Sequence, residues 1–234
     1  MTETVAASWP KADTVARRPN QWVPDKALSF PDMWDMILRY REHKNPITPE
    51  LMAVLFFEES LFCNIIQFGA GRDAAVGFGQ MQIFDLDKIE FFRDVFKFDS
   101  TRGHKQKDLT PVTREKITND KHLSVKIMWK YYQWLHDVKK LKTVQGIMGA
   151  QAGSAQNKAL IPHLVEGAKR LRKSITKEFT RESFIESLNY ARRHRKVRID
   201  GVEMGTAVPY KTSGQDFRDF WHFVIPDGYL RFGF

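Results

Sequence analysis

One cysteine, Cys63, stands alone in a chain of 234 residues. That excludes an internal disulfide framework and leaves a thiolate zinc site without a second sulfur. Long hydrophobic runs are missing too. The longest, Leu51 to Phe57, spans seven residues, where a membrane span needs about 20. The histidines at 43, 104, 122, 136, 163, 194 and 222 include no pair at i, i+4, so no metal centre is assigned, and no cofactor either. The opening residues, Met1 to Pro10, lack the basic and apolar regions of a secretory signal. Negative charge is in deficit, with 28 Asp and Glu against 37 Lys and Arg, a net +9. This balance favours a polyanionic partner: nucleic acid, an anionic cell surface or an acidic glycan. What the chain does have is 42% apolar and 13% aromatic residues, enough for a globular core and against global disorder.

Residues 1–30, with Pro10, Pro19 and Pro24, read as an irregular N-terminal arm. From Pro31 the spacing turns helical, with apolar residues at 33, 34, 37, 38 and 40. Asn45-Pro46-Ile47 closes that element. Thr48-Pro49-Glu50 opens the next: a capping hydroxyl, a proline suited to the first helical position and a carboxylate that complements the dipole. Leu51 to Phe57 is apolar on every side, the mark of a helix buried all round. Glycines at 69, 71, 77 and 79 then point to a loop or small hairpin, so that at most a small β element is expected near 68–84. Thr113 to Val138 reads as one long helix or two, Thr143 to Ala152 as a short one, and Leu160 to Lys173 and Arg181 to His194 as basic amphipathic helices. The glycine-, proline- and aromatic-rich tail from Gly201 to Phe234 is expected to pack over the core in irregular form.

The most informative feature is the pair Glu58-Glu59 within the apolar helix. An ionised carboxylate buried without a partner costs several kcal/mol, so such a group tends to hold its proton. A neutral carboxylic acid is what protonation of a glycosidic oxygen requires. The alternative is that both pair with Arg or Lys, or emerge at the helix end. Periodicity does not choose between Glu58 and Glu59. Downstream stands Gly77-Phe78-Gly79-Gln80-Met81-Gln82-Ile83, and later Gly149-Ala150-Gln151-Ala152-Gly153. Glycines here permit unusual dihedrals and close backbone approach to a ligand, and Gln82 can both donate and accept in a groove wall. Phe78 can stack on a sugar or fill the core; Met81 and Ile83 read as core, and Ser60 as a partner of backbone or of the Glu59 carboxyl.

The order Glu59-Ser60, glycine-rich loop, Gly77-Phe78-Gly79-Gln80-Met81-Gln82 resembles the lysozyme-like superfamily, specifically goose-type lysozymes and soluble lytic transglycosylases. In that family a catalytic Glu sits in a Glu-Ser dipeptide late in an apolar helix, and a Gly-Leu-Met-Gln motif follows. The match selects Glu59 over Glu58. This chain has Gln80 where the family has Leu. Ala150 and Gln151 stand where the family's Ala-Tyr-Asn-Ala-Gly segment has Tyr and Asn. All three elements lie between residues 48 and 153, under half of the chain. The resemblance implies a mainly α, lysozyme-like fold over 31–234: a helical bundle around an active-site helix with a small β or loop element. It implies cleavage of the β-1,4 bond between N-acetylmuramic acid and N-acetylglucosamine in peptidoglycan glycan strands, with Glu59 as general acid and no cofactor. Ser60, Gly77, Phe78, Gly79, Gln82 and Gln151 would then line the glycan site. By the same resemblance Asp73 falls on a water-positioning aspartate, and Asp85 one place beyond another; either would serve hydrolysis. Lytic transglycosylases use the substrate's own 6-hydroxyl instead.

Residues 168–198 hold 11 basic against three acidic residues, nearly all of the net charge. They read as a solvated helical face, as an attachment to the anionic cell envelope, or as a nucleic-acid surface. A nucleic-acid-binding protein is the first rival reading, although zinc, helix-turn-helix and RNA-binding motifs are lacking. An inactive peptidoglycan-binding module is the second. Lacking a signal, a wall-cleaving enzyme made in the cytoplasm is expected to be phage-encoded, as an endolysin or virion lysin, or to leave by a non-classical route.

Overall fold

The computed structural model describes residues 15–16, 23–67, 75–83, 86–96, 110–152, 155–177, 180–194, 196–199, 202–206, 221 and 223–226. Eight helices appear among them: α1 Phe30–Arg39, α2 Pro49–Ser60, α3 Leu86–Phe96, α4 Thr110–Asn119, α5 Lys121–Asp137, α6 Val144–Ala152, α7 Ala155–Thr176 and α8 Arg181–Asn189. Short strands β1 Val15–Ala16 and β2 Ile66–Gln67 pair in parallel, and β3 Lys196–Ile199 pairs antiparallel with β4 Val202–Thr206. The molecule is mainly α, as the spacing of apolar residues predicts.

The central element is α2. Thr48 caps it, its hydroxyl accepting from the Leu51 amide at 3.2 Å, and Pro49 follows at the first turn. A cap of this type is worth about 1 kcal/mol. From Leu51 to Phe57 every side chain is buried, each large one contributing about 1.5–3 kcal/mol by leaving water. Helices α1, α7 and α8 pack around it. Gly167 marks where α7 comes closest: a Cβ there would lie 3.1 Å from the Ser187 carbonyl of α8 and 3.2 Å from Val54 of α2. Helix α5 reaches across to α1, the Trp129 indole donating to the Ile37 carbonyl at 3.0 Å.

α2 ends abruptly. Leu61 and Phe62 both take the left-handed conformation, φ 55° and 60°, and both are fully buried. Two successive side-chain-bearing residues there cost about 1–2 kcal/mol each, which core packing must offset. The Leu28 amide donates to the Phe62 carbonyl at 3.0 Å and the Asn64 amide to the Lys26 carbonyl at 2.9 Å. Residues 27–30 thus belong to the core: Ala27, Leu28 and Phe30 are all buried. The described part of the expected N-terminal arm is built into the fold, including a single helical turn over Pro24–Lys26.

The segment expected as one helix or two, Thr113 to Val138, is two, divided at Asp120, which caps α5 by accepting from Leu123 at 2.9 Å. The expected Arg181 to His194 helix breaks after α8 into a separate turn, Arg192–His194. Helix α3 is additional to the elements that spacing assigned. Apolar residues recur there at 86, 89, 92 and 96, a helical period read past because turn signals surround it. Strand β4 likewise falls in a tail expected to be irregular. The expected β element near 68–84 is a minimal ladder in which Val76 bridges Ile66 on one side and Met81 on the other. No helix among the described residues is long and apolar enough to cross a membrane.

Candidate functional site

The two acidic residues at the end of α2 part company in space. Glu58 is buried, 1% exposed, and its backbone carbonyl accepts from the equally buried Arg192 at 2.8 Å. Glu59 is half-buried and lines a recess between α2, α6 and α7, walled by Leu55, Met148, Gln151, Asn157, Ile161 and Leu164. One residue of rotation on a helix is enough to send neighbouring carboxylates to different surroundings.

The recess is mostly apolar, with Gln151 and Asn157 as its neutral polar groups. Its free volume is about 20 Å³, room for a water molecule against the Glu59 side and less than a sugar ring needs.

Three distant parts of the chain meet beside Glu59. Gln151 of α6 donates from Nε2 to the Gly79 carbonyl at 3.1 Å, and its Oε1 accepts from the Tyr132 hydroxyl of α5. Tyr132 is fully buried. Burial first, then the nearby Tyr131 and Glu59, push its hydroxyl well above the ordinary phenol range, so Tyr132 stays a donor. The order of residues does not reveal Tyr132. It is one of several aromatic residues on an amphipathic helix, and only the crossing of α5 beneath the loop places it here.

The loop itself is a hairpin. Val76 and Met81 exchange backbone bonds at 3.0 and 2.9 Å around Gly77-Phe78-Gly79-Gln80. Gly77 adopts φ 80°, and a Cβ there would sit 2.6 Å from Ser124 Oγ. At Gly79 it would meet Met128 at 2.7 Å. Packing on α5, rather than approach of a ligand, accounts for both glycines. Gln80 also takes a left-handed conformation, φ 45°. Its amide donates to the Gly77 carbonyl at 2.7 Å and the Ile65 carbonyl at 3.2 Å. Gln80 thus locks the turn from within.

The remaining residues expected at the site divide as follows. Phe78 is fully buried, its ring 5.9 Å from that of Phe56; of its two readings the core one holds, and a stacking role on a sugar is set aside because no face is open. Met81 and Ile83 are buried. Ser60 donates back to the Phe56 carbonyl at 3.0 Å, the backbone alternative of the two expected for it. Gln82 is exposed, and no hydrogen bond among the described residues joins it to the Glu59 cluster. Asp73 and Asp85 lie outside the described residues, as does Gly153. Cys63 is buried and reduced; its thiol is pushed up to about 12 by burial. No group of three or more metal-ligating side chains occurs among the described residues.

Along the C-terminal half of α7, Lys169, Arg170, Arg172 and Lys173 are exposed, as is Lys177 just beyond its end. Arg170 pairs with Glu166 at 3.1 Å and lies 4.3 Å over the Tyr190 ring. His194 stacks on His163 with ring centres 4.0 Å apart. No protein-family model, curated protein or solved structure matches the chain.

Proposed function

We propose that the protein cleaves the glycan strands of peptidoglycan, with Glu59 as the general acid at the β-1,4 bond between N-acetylmuramic acid and N-acetylglucosamine. The observation that carries this reading is the convergence at Glu59. Gln151, the glycine hairpin and Tyr132 come from separate sequence elements and form one hydrogen-bonded cluster, and the half-buried carboxyl of Glu59 lies beside it, sharing the recess with Gln151. Glu59, the hairpin and Gln151 belong to the elements on which the resemblance to goose-type lysozymes and lytic transglycosylases rests.

The chemistry follows from the surroundings. Apolar walls favour the neutral acid over the carboxylate. Glu59 gives its proton to the bridging oxygen as the C1–O bond breaks, and the departing sugar leaves as an alcohol. The positive charge left on the sugar is captured by water, which gives up a proton to a carboxylate base as it adds, giving hydrolysis, or by the same sugar's 6-hydroxyl, giving an anhydro end. In the second route the Glu59 carboxylate recovers its proton from that hydroxyl. Asp73 and Asp85 are the proposed water-positioning groups for the first.

The test is release of soluble muropeptides from purified sacculi, with product masses. E59Q keeps shape and hydrogen bonding yet has no proton to give. It is expected to lose at least about 100-fold in rate with its unfolding transition unchanged. Undiminished release by E59Q rejects Glu59 as the acid. Products one water lighter identify the anhydro route.

The exposed cations of α7 favour, for the same protein, attachment to the anionic cell envelope. Duplex DNA binding without any muropeptide release, at physiological salt, would instead support the nucleic-acid reading. Sedimentation with cell wall and no release would mark a binding module.

A further inference from the structure

We propose that Arg192 is the positioning residue for Glu59, fixing from across the molecule the last turn of α2; the inference rests on the acid role given to Glu59 above. Helix α2 carries no basic residue in its own last turn, so its closing carbonyls depend on donors from elsewhere. Two amides of the following turn serve Phe56 and Phe57. The Glu58 carbonyl is served from the turn after α8: Arg192 Nη1 donates to it at 2.8 Å and reaches the Phe57 carbonyl at 3.5 Å. The guanidinium is 1% exposed and lies 6.0 Å from the Phe57 ring centre. A charged donor on a helix C-terminus is stronger than a neutral one and complements the helix dipole.

This contact sits on the peptide immediately before Glu59. The two residues after Ser60, Leu61 and Phe62, are left-handed and side-chain-bearing, so local preference does not set the direction of the turn. Tertiary bonds do: Arg192 on one flank and the Leu28 amide on the Phe62 carbonyl on the other. Rotating the Glu58–Glu59 peptide out of place would break the Arg192 bond and swing Glu59 from its recess. Among the described residues, Tyr132 of α5 is an ionisable group close to Glu59. The described lining from α6 and α7 brings none.

The experiment uses the full chain and the variants R192M, R192K and E59Q. Turnover is read as kcat and KM on sacculi. The Glu59 carboxyl is read by carbon NMR, assigned with E59Q and needing no turnover. R192M is expected to keep its fold, to lose about 10- to 100-fold in kcat as expected of a small misplacement, and to hold KM within about twofold. Its Glu59 resonance should shift in position and titration midpoint, and R192K should restore most of both. A folded R192M with wild-type kcat and an unmoved Glu59 resonance overturns the proposal. Where R192M does not fold, R192Q, which keeps a donor without charge, is read by the same criteria. If the wild type releases no muropeptides, the acid role fails by itself. The Glu59 resonance then still decides the positioning claim, a shift upholding it and no shift overturning it.

Discussion

Burial of Cys63 has a consequence that can be measured at a single atom. In the folded chain its proton is held to about 12, while an unfolded thiol releases it near 9. Between these values the unfolded state binds fewer protons, so stability, whole below pH 9, falls as pH rises through the window. The slope is about 1.4 kcal/mol per pH unit for one proton. Tyr132, whose hydroxyl is also pushed up, adds a loss of the same sign at higher pH. Urea unfolding from about pH 8 to about pH 11 should show the decline, and C63A should flatten its first part. An equally steep curve for C63A would mean that other groups drive it.

The hairpin that meets Gln151 is the element on which the site turns, and Gly77 is its tightest point. G77A would place a methyl group 2.6 Å from Ser124 Oγ at φ 80°. Backbone strain alone costs about 1–2 kcal/mol, and the Ser124 bond to the Phe78 amide, 3.1 Å, would have to lengthen. Denaturant unfolding is expected to show a loss of at least about 2 kcal/mol, and a change below about 0.5 kcal/mol would contradict the packing account given for this glycine. At this scale much was legible beforehand. Thr48 and Pro49 announced α2, its unbroken apolar run announced burial on all sides, and the glycines announced the turn. The separation of Glu58 from Glu59 was not legible from period, since both have apolar neighbours at helical spacing; the Glu-Ser resemblance chose Glu59, and it is the one that lines the recess. Tyr132 and Arg192 escaped because their roles come from helix crossings, α5 under the hairpin and the turn after α8 against α2. Phe78 was open to two readings because an aromatic beside glycines suits a groove or a core, and Phe56 settles it.

Across the whole molecule, a buried cluster at one end of α2 and an exposed cationic stripe on α7 share one framework. Helix α7 presents Ile161 and Leu164 inward to the recess and Lys169 and Lys173 outward. Rising charge-screening salt should therefore weaken the outward face while leaving the inward one alone.

The stitching of residues 23–30 beneath the end of α2 bears on how this chain can be cut. Val23 donates its amide to Cys63 Sγ at 3.4 Å, Leu28 and Lys26 supply backbone partners to Phe62 and Asn64, and Lys121 reaches the Ala27 carbonyl at 3.2 Å. A recombinant fragment begun at residue 31, the boundary that proline content suggests, would strip the left-handed corner of its outer seam and bare Phe62 and Cys63 to solvent. Any minimal expression clone should keep the chain from residue 15 onward, so that the strand Val15–Ala16 paired with Ile66–Gln67 is retained as well.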